Sequence, residues 1–168
     1  MTKACAITGH RFASLPFGTN EGAESCRALK RAITNAMIEL VELSGVREFL
    51  CGMALGSDQI CAEIVLGLKS QYPDLKLSCW IPCAEQSKKW NQAQKMRYQQ
   101  ILRLSDEVVC LSDRYTPDCM RIRNETMVDR ADFLLAIWNG KPRGGTAATV
   151  RYAKSRALPI VLIDPFSV

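Results

Sequence analysis

The chain has 168 residues and a formal net charge of +5, with 48% hydrophobic and 23% charged residues. Such a composition excludes disordered and fibrous classes, and the length is that of one domain, residues 1–168, with room for a substantial core. No run approaches the ~20 apolar residues of a membrane span, and no block of like charges marks a nucleic-acid tail, although the positive balance suits an anionic ligand.

Met1-Thr2-Lys3-Ala4 leads straight into an apolar segment and leaves no room for a signal peptide, so a cytoplasmic protein is expected. Strand one is read over Ala4 to Ile7, followed by Thr8-Gly9-His10-Arg11 and a long loop. Ala23 to Leu43 has helical periodicity, with Leu29, Ile33, Met37, Leu40 and Val41 on one stripe and Gly45 as the stop. Arg47 to Cys51 is strand two, and the glycine loop Gly52-Met53-Ala54-Leu55-Gly56 follows it. Ser57 or Asp58 is a good N-cap for a helix running to about Ser70.

Leu75 to Ile81 reads as strand three, ended by Pro82, and Ala84 to Leu104 as one long helix with Trp90, Met96, Arg97, Ile101 and Leu104 near one face. Glu107 to Leu111 is strand four, Cys119 to Arg130 a helix, and Phe133 to Trp138 strand five, a continuous apolar run typical of a strand buried on both faces. Gly144 to Arg156 is the next helix and Leu158 to Ile163 strand six. Strands alternating with helices predict an α/β, Rossmann-like three-layer sandwich with a mainly parallel sheet of about six strands.

Eight cysteines and one histidine need assignment. Cys5, Cys51, Cys79 and Cys110 lie in apolar runs and are read as core. There is no C-x-x-C pair, and Cys79 with Cys83 has no second pair to complete a tetrahedral site, so no metal is expected and reduced thiols are the default.

In a parallel sheet, ligands bind at the carboxyl ends of the strands where the strand order reverses. Three sequence-distant segments, 8–11, 52–58 and 139–146, fall on that edge and can converge on one pocket. There Gly9, Gly52, Gly56, Gly144 and Gly145 can bring bare backbone against phosphate or ribose, Thr146 adds a hydroxyl, and the helix opening at Gly144 offers unpaired N–H groups to an anion. Arg11 can clamp a phosphate while His10 contacts a base or sugar, or the two can serve the loop and a surface ion pair. Asp58 either caps its helix or accepts from ribose hydroxyls. Arg123 and Asn124, with Arg121 and Arg143, either form a surface ion-pair cluster or make the pocket cationic. Trp138 is a core residue or a stacking surface for a base. There is no G-x-S-x-G elbow, no G-x-x-x-x-G-K-[ST] loop and no complete G-x-G-x-x-G, which disfavours an acyl hydrolase, an ATPase and a standard dinucleotide dehydrogenase.

Ile7-Thr8-Gly9-His10-Arg11, then Cys51-Gly52-Met53-Ala54-Leu55-Gly56-Ser57-Asp58 with Glu63, Pro82-Cys83 with Gln86 and Trp90, Arg123-Asn124-Glu125-Thr126-Met127-Val128-Asp129, and Gly144-Gly145-Thr146 with Tyr152-Ala153 together resemble the YpsA-like branch of the SLOG superfamily. The resemblance spans nearly the whole chain in order. It implies a Rossmann-like sheet and a bound nucleotide or nucleotide derivative, ADP-ribose-like for example, at the glycine loops; homodimers are frequent among SLOG relatives. The superfamily also includes the LOG phosphoribohydrolases and the DNA-processing protein DprA.

One departure bears on catalysis. LOG enzymes carry a Met-x-x-Arg-Lys element, which Met120-Arg121-Ile122-Arg123-Asn124 resembles, and a Pro-Gly-Gly-x-Gly-Thr-x-Glu-Glu motif whose glutamate serves N-glycosidic hydrolysis. Here Ala148 and Thr149 stand where the glutamates would be. The expectation is therefore a nucleotide-binding or nucleotide-sensing protein with no assigned catalytic residue. Two alternatives remain: a nucleotide hydrolase using Asp58, Glu63 or Asp129, and a DprA-like single-strand DNA binder using Lys88, Lys89, Lys95 and Arg97, disfavoured by the glutamines diluting that helix.

Overall fold

The computed structural model describes residues 2–168. Its strands are β1 (Lys3–Gly9), β2 (Val46–Cys51), β3 (Lys76–Ile81), β4 (Glu107–Cys110), β5 (Phe133–Ile137) and β6 (Ile160–Ile163). The helices between them are α1 (Glu24–Ser44), α2 (Ser57–Leu68), α3 (Gln92–Leu104), α4 (Cys119–Arg130) and α5 (Gly145–Ser155). All strand pairings are parallel and the order is β4-β3-β2-β1-β5-β6. The chain thus steps outward from β1 to β4, returns past β1, and continues outward on the other side through β5 and β6.

Strand alternation sorts the core into two layers. Cys5 and Ile7 of β1, Phe49 and Cys51 of β2, and Leu135 and Ile137 of β5 face α1, α2 and α3, where Leu29, Ile33, Met37, Ile60, Val65 and Ile101 close over them. Ala4, Ala6, Leu50, Trp80, Leu134 and Ala136 face α4 and α5, meeting Met127, Val128, Val150 and Ala153. Burying each large aliphatic side chain contributes about 1.5–3 kcal/mol, so both layers hold the sheet between its helices. The expected three-layer parallel fold with six strands is the one observed.

The α1 stripe is as the spacing predicts, and Gly45 ends the helix at φ 76° with its N–H donating to the Leu40 carbonyl. Three local expectations need correction. The helix expected from Ala84 begins only at Gln92, because Asn91 accepts from the Gln94 N–H while the Gln94 side chain accepts from the Asn91 N–H, a reciprocal capping box that fixes the start. Residues 84–90 form turns instead, and the buried α3 residues are Tyr98 and Ile101, with Met96 and Leu104 exposed. Cys5, Cys51 and Cys79 are buried as expected, but Cys110 is exposed because β4 is an edge strand. Finally, neither Ser57 nor Asp58 caps α2: the N-cap is Gly56, and both side chains bond elsewhere.

A cationic cavity at the strand-order reversal

β1 and β5 lie side by side, yet the chain leaves them in opposite directions, so their carboxyl ends flank the reversal point. A cavity of about 620 Å³ opens there. Its wall is built from the β1 end (Gly9, His10, Arg11), the segment after β5 (Asn139, Lys141, Arg143), the start of α5 (Gly144, Gly145, Thr146), and Ala54, Asp58, Arg123 and Asn124. Nine of the eleven residues singled out from the sequence therefore share one cavity. The other two, Gly52 and Gly56, are buried behind it.

Their role is close packing. Arg123 is buried, and its Nη1 donates to the Gly52 carbonyl and, at 3.4 Å, to the Trp80 carbonyl. A Cβ added at Gly52 would lie 2.5 Å from that same Nη1, so only glycine admits the guanidinium. Gln86 donates to the Gly52 carbonyl as well, at 2.9 Å, and accepts from the Tyr98 hydroxyl at 3.0 Å. Arg123 Nε donates to Asn124 Oδ1 at 2.7 Å, whereas among the described residues Nη2 has only the Met120 sulfur at 3.9 Å. That leaves Nη2 donor capacity unspent on a cavity-lining side chain. Gly56, at φ 95°, rests its Cα against the backbone of the β1 loop, 2.9 Å from Arg11 Cα for an added Cβ, and Ser57 donates from both N–H and hydroxyl to the His10 carbonyl.

His10 ties the two strand ends together. Its N–H donates to the Ile137 carbonyl at 3.1 Å, and its Nε2 accepts from the Asn139 N–H at 3.0 Å. A backbone N–H can only donate, so Nε2 carries no proton in this arrangement and the neutral ring is protonated at Nδ1. Asn139 Oδ1 then accepts from the Lys141 N–H, and the half-buried Trp138 donates Nε1 to the Lys141 carbonyl at 2.9 Å. Trp138 packs with the α4–α5 layer and does not line the cavity.

Asp58 is buried, and its Oδ2 accepts from the Ala54 N–H at 3.1 Å, holding the loop that precedes its helix. Burial pushes the Asp58 carboxyl above its ordinary value, offset in part by Arg123, the Ala54 N–H and Arg11. Burial likewise pulls Arg123 below its ordinary value, offset in part by Asp58. The two charges share the cavity without an ion pair among the described residues. Arg11, Lys141 and Arg143 are exposed on its wall, so four cations meet one carboxylate. The α5 N-terminus adds backbone N–H groups and a partial positive charge.

Carboxylates elsewhere are engaged away from the cavity. Glu63 and Glu21 both accept from Arg97, and Lys30 stands 3.4 Å from Glu21. Asp129 accepts from the Tyr152 hydroxyl at 2.9 Å and pairs with Arg156 at 3.1 Å. At the start of α5, Ala148 is exposed and the Thr149 hydroxyl donates to the Gly145 carbonyl at 2.9 Å, so neither residue lines the cavity. Burial raises the Cys51 and Cys61 thiols well above their usual value and pushes Cys79 up to about 11, which removes them as nucleophiles. Asn139 and Lys141 lie in the 139–146 segment expected on this edge but were not singled out as individual residues there; the signal was the polar run after strand five.

A family model described as the YspA SLOG family matches residues 5–168. A UPF0398 protein of Bacillus licheniformis is 30% identical over 170 residues, 96% of this chain and 90% of the relative. The SPbeta prophage-derived protein YoqJ of Bacillus subtilis is 30% identical over 142 residues, 77% of this chain and 82% of the relative. Among solved structures, DNA processing protein A from Helicobacter pylori, described with its single-stranded DNA binding mode, superposes with a TM-score of 0.63 at 17% identity. That match covers 96% of this chain and 65% of the Helicobacter chain. The structural-genomics target TM1055 superposes with a TM-score of 0.55 at 13% identity, over 95% of this chain and 72% of that one. At these identities the structural matches concern the fold.

Proposed function

Because the chain belongs to the YpsA family of SLOG proteins, we propose that it binds or senses a nucleotide or nucleotide derivative, with the anionic group held in the cationic cavity. One observation carries this reading: Arg11, Arg123, Lys141 and Arg143 share a cavity with the α5 N-terminus and a single carboxylate. Phosphate oxygens accept from the Gly145 and Thr146 N–H groups and the Thr146 hydroxyl, as helix N-termini hold anions generally. Arg123 Nη2 supplies a fixed, buried donor, and Arg11 with its planar fork closes over the phosphate from the exposed side. Asp58, the carboxylate on the cavity wall, supplies an acceptor for a ribose hydroxyl.

A thermal-unfolding panel of AMP, ADP-ribose, NAD and cyclic nucleotides tests the reading. A ligand at one hundred times its Kd stabilises the native state by about 2.7 kcal/mol, which shifts the midpoint by several degrees. The expected result is such a shift for at least one member; no shift with any of them at millimolar concentration removes the reading.

A second reading, a nucleotide hydrolase with Asp58 as proton donor, is favoured by the burial that raises its carboxyl. It predicts released free base or ribose 5-phosphate, and chromatography returning only intact nucleotide after prolonged incubation eliminates it. The nucleic-acid reading loses support because Arg97 is spent on Glu21 and Glu63, and Lys88 lies 3.1 Å from Glu85.

A further inference from the structure

A second cavity, of about 500 Å³, adjoins the cationic one and shares Arg11, Ala54 and Met120 with it. Its character is different. Leu55, Trp90, Tyr115 and Met120 supply a largely carbon wall, with Arg11, Glu85, Lys88 and Lys89 as its charged residues. The turns over 84–90 create the space, since the capping box at Asn91 delays the helix and leaves Trp90 outside it. Trp90 is held edge-on against Tyr98, with ring centroids 5.2 Å apart at 86°, and Tyr98 is fixed in turn by its bond to Gln86. The indole is thus a positioned surface, and Tyr115, 62% exposed on the loop before α4, presents a second ring on the same wall.

We propose that this second cavity takes the nucleobase of the ligand whose phosphate lies in the cationic cavity, which makes the protein selective for nucleotides over bare sugar phosphates. The inference rests on the nucleotide reading above and adds the location of the base. Ala54, with only a methyl group, lines both chambers and puts little bulk between them. Arg11 lines both, so one residue with a planar cation borders the phosphate chamber and the base chamber. An aromatic base matches this wall better than a second phosphate: the apolar surface rewards a π face, which stacks on aromatic rings without needing hydrogen-bond readout.

Calorimetry of the full chain with ribose 5-phosphate and with AMP, GMP, CMP and UMP tests it, repeated on Tyr115→Ala and Leu55→Glu. Tyr115 is exposed, so its replacement leaves the core intact. The expected result is that the tightest of the four nucleotides binds at least about tenfold more strongly than ribose 5-phosphate, and that this ratio falls at least about fivefold in both variants. Ribose 5-phosphate binding as tightly as every nucleotide, or an unchanged ratio in both variants, overturns the base site while leaving the phosphate site standing. If neither the sugar phosphate nor any nucleotide binds, both readings fall together.

Discussion

The Arg123 guanidinium lies directly on the Gly52 backbone, with Nη1 donating to the Gly52 carbonyl where any Cβ would collide with it. A side chain from α4 that lines the cavity is thereby anchored at the carboxyl end of β2. Gly52→Ala forces the guanidinium out. Overpacking of this kind costs about 1–3 kcal/mol, and ligand affinity falls at least about tenfold with it. Denaturant unfolding combined with ligand titration checks both; a variant indistinguishable from wild type in both assays contradicts the anchoring role.

Asp58 gives a pH signature. Burial raises its carboxyl in the folded state above the unfolded value, so the protonated form is the one folding favours. The stabilisation is fully present below the unfolded value and is lost as pH rises through the folded one. Asp58→Asn removes that loss, so the melting temperature of the variant relative to wild type should climb as pH rises from the acid range towards neutrality. A difference that is flat, or that shrinks with rising pH, is the opposite of what burial requires.

His10 is predicted to be a joint between strand ends. His10→Ala leaves the Asn139 N–H without its acceptor, at a cost of about 1–3 kcal/mol for an unsatisfied donor, and frees the segment that carries Lys141 and Arg143. Hydrogen exchange at Asn139 should accelerate in the variant, and unchanged protection there would remove the assigned role.

Arg97 is predicted to be structural. It joins α3 to Glu21 before α1 and to Glu63 on α2, and Arg97→Ala leaves two carboxylates facing each other. A loss of about 1 kcal/mol or more is expected, beyond an isolated exposed pair because three charges are linked. Equilibrium unfolding measures the loss. An Arg97→Ala variant of full stability that loses an oligonucleotide mobility shift would instead restore the nucleic-acid reading.

The sequence carried the parts of this molecule that depend on periodicity. The apolar runs at β1, β2 and β5 and the stripe Leu29, Ile33, Met37, Leu40 and Val41 of α1 were visible because each buried face repeats at the spacing of its element. Alternation of strands and helices was enough for a parallel sheet with the glycine loops along one edge, whereas the strand order and the reversal between β1 and β5 came from the fold. What stayed hidden depends on contacts between distant segments. Gly52 looked like a phosphate loop glycine but receives a side chain 71 residues away. Asp58 looked like a cap but turns back to the Ala54 N–H. Cys110 looked buried because its apolar neighbours Val108, Val109 and Leu111 do not reveal which strand will lie at the edge. The start of α3 was legible in Asn91 and Gln94, a capping pair that the longer apolar pattern obscured.

Gly145→Asp separates binding from folding at the start of α5. An added Cβ there meets nothing within 4 Å, and a carboxylate in the first turn of a helix stabilises it, so the variant should fold as well as wild type while repelling an anion. The decisive measurement is a calorimetric titration of wild type and Gly145→Asp with the nucleotide that gives the largest thermal shift. Saturable binding to wild type and a loss of at least about a hundredfold in the variant, at unchanged melting temperature, is the result expected if the cationic cavity holds the phosphate. Equal affinity in the two proteins contradicts it.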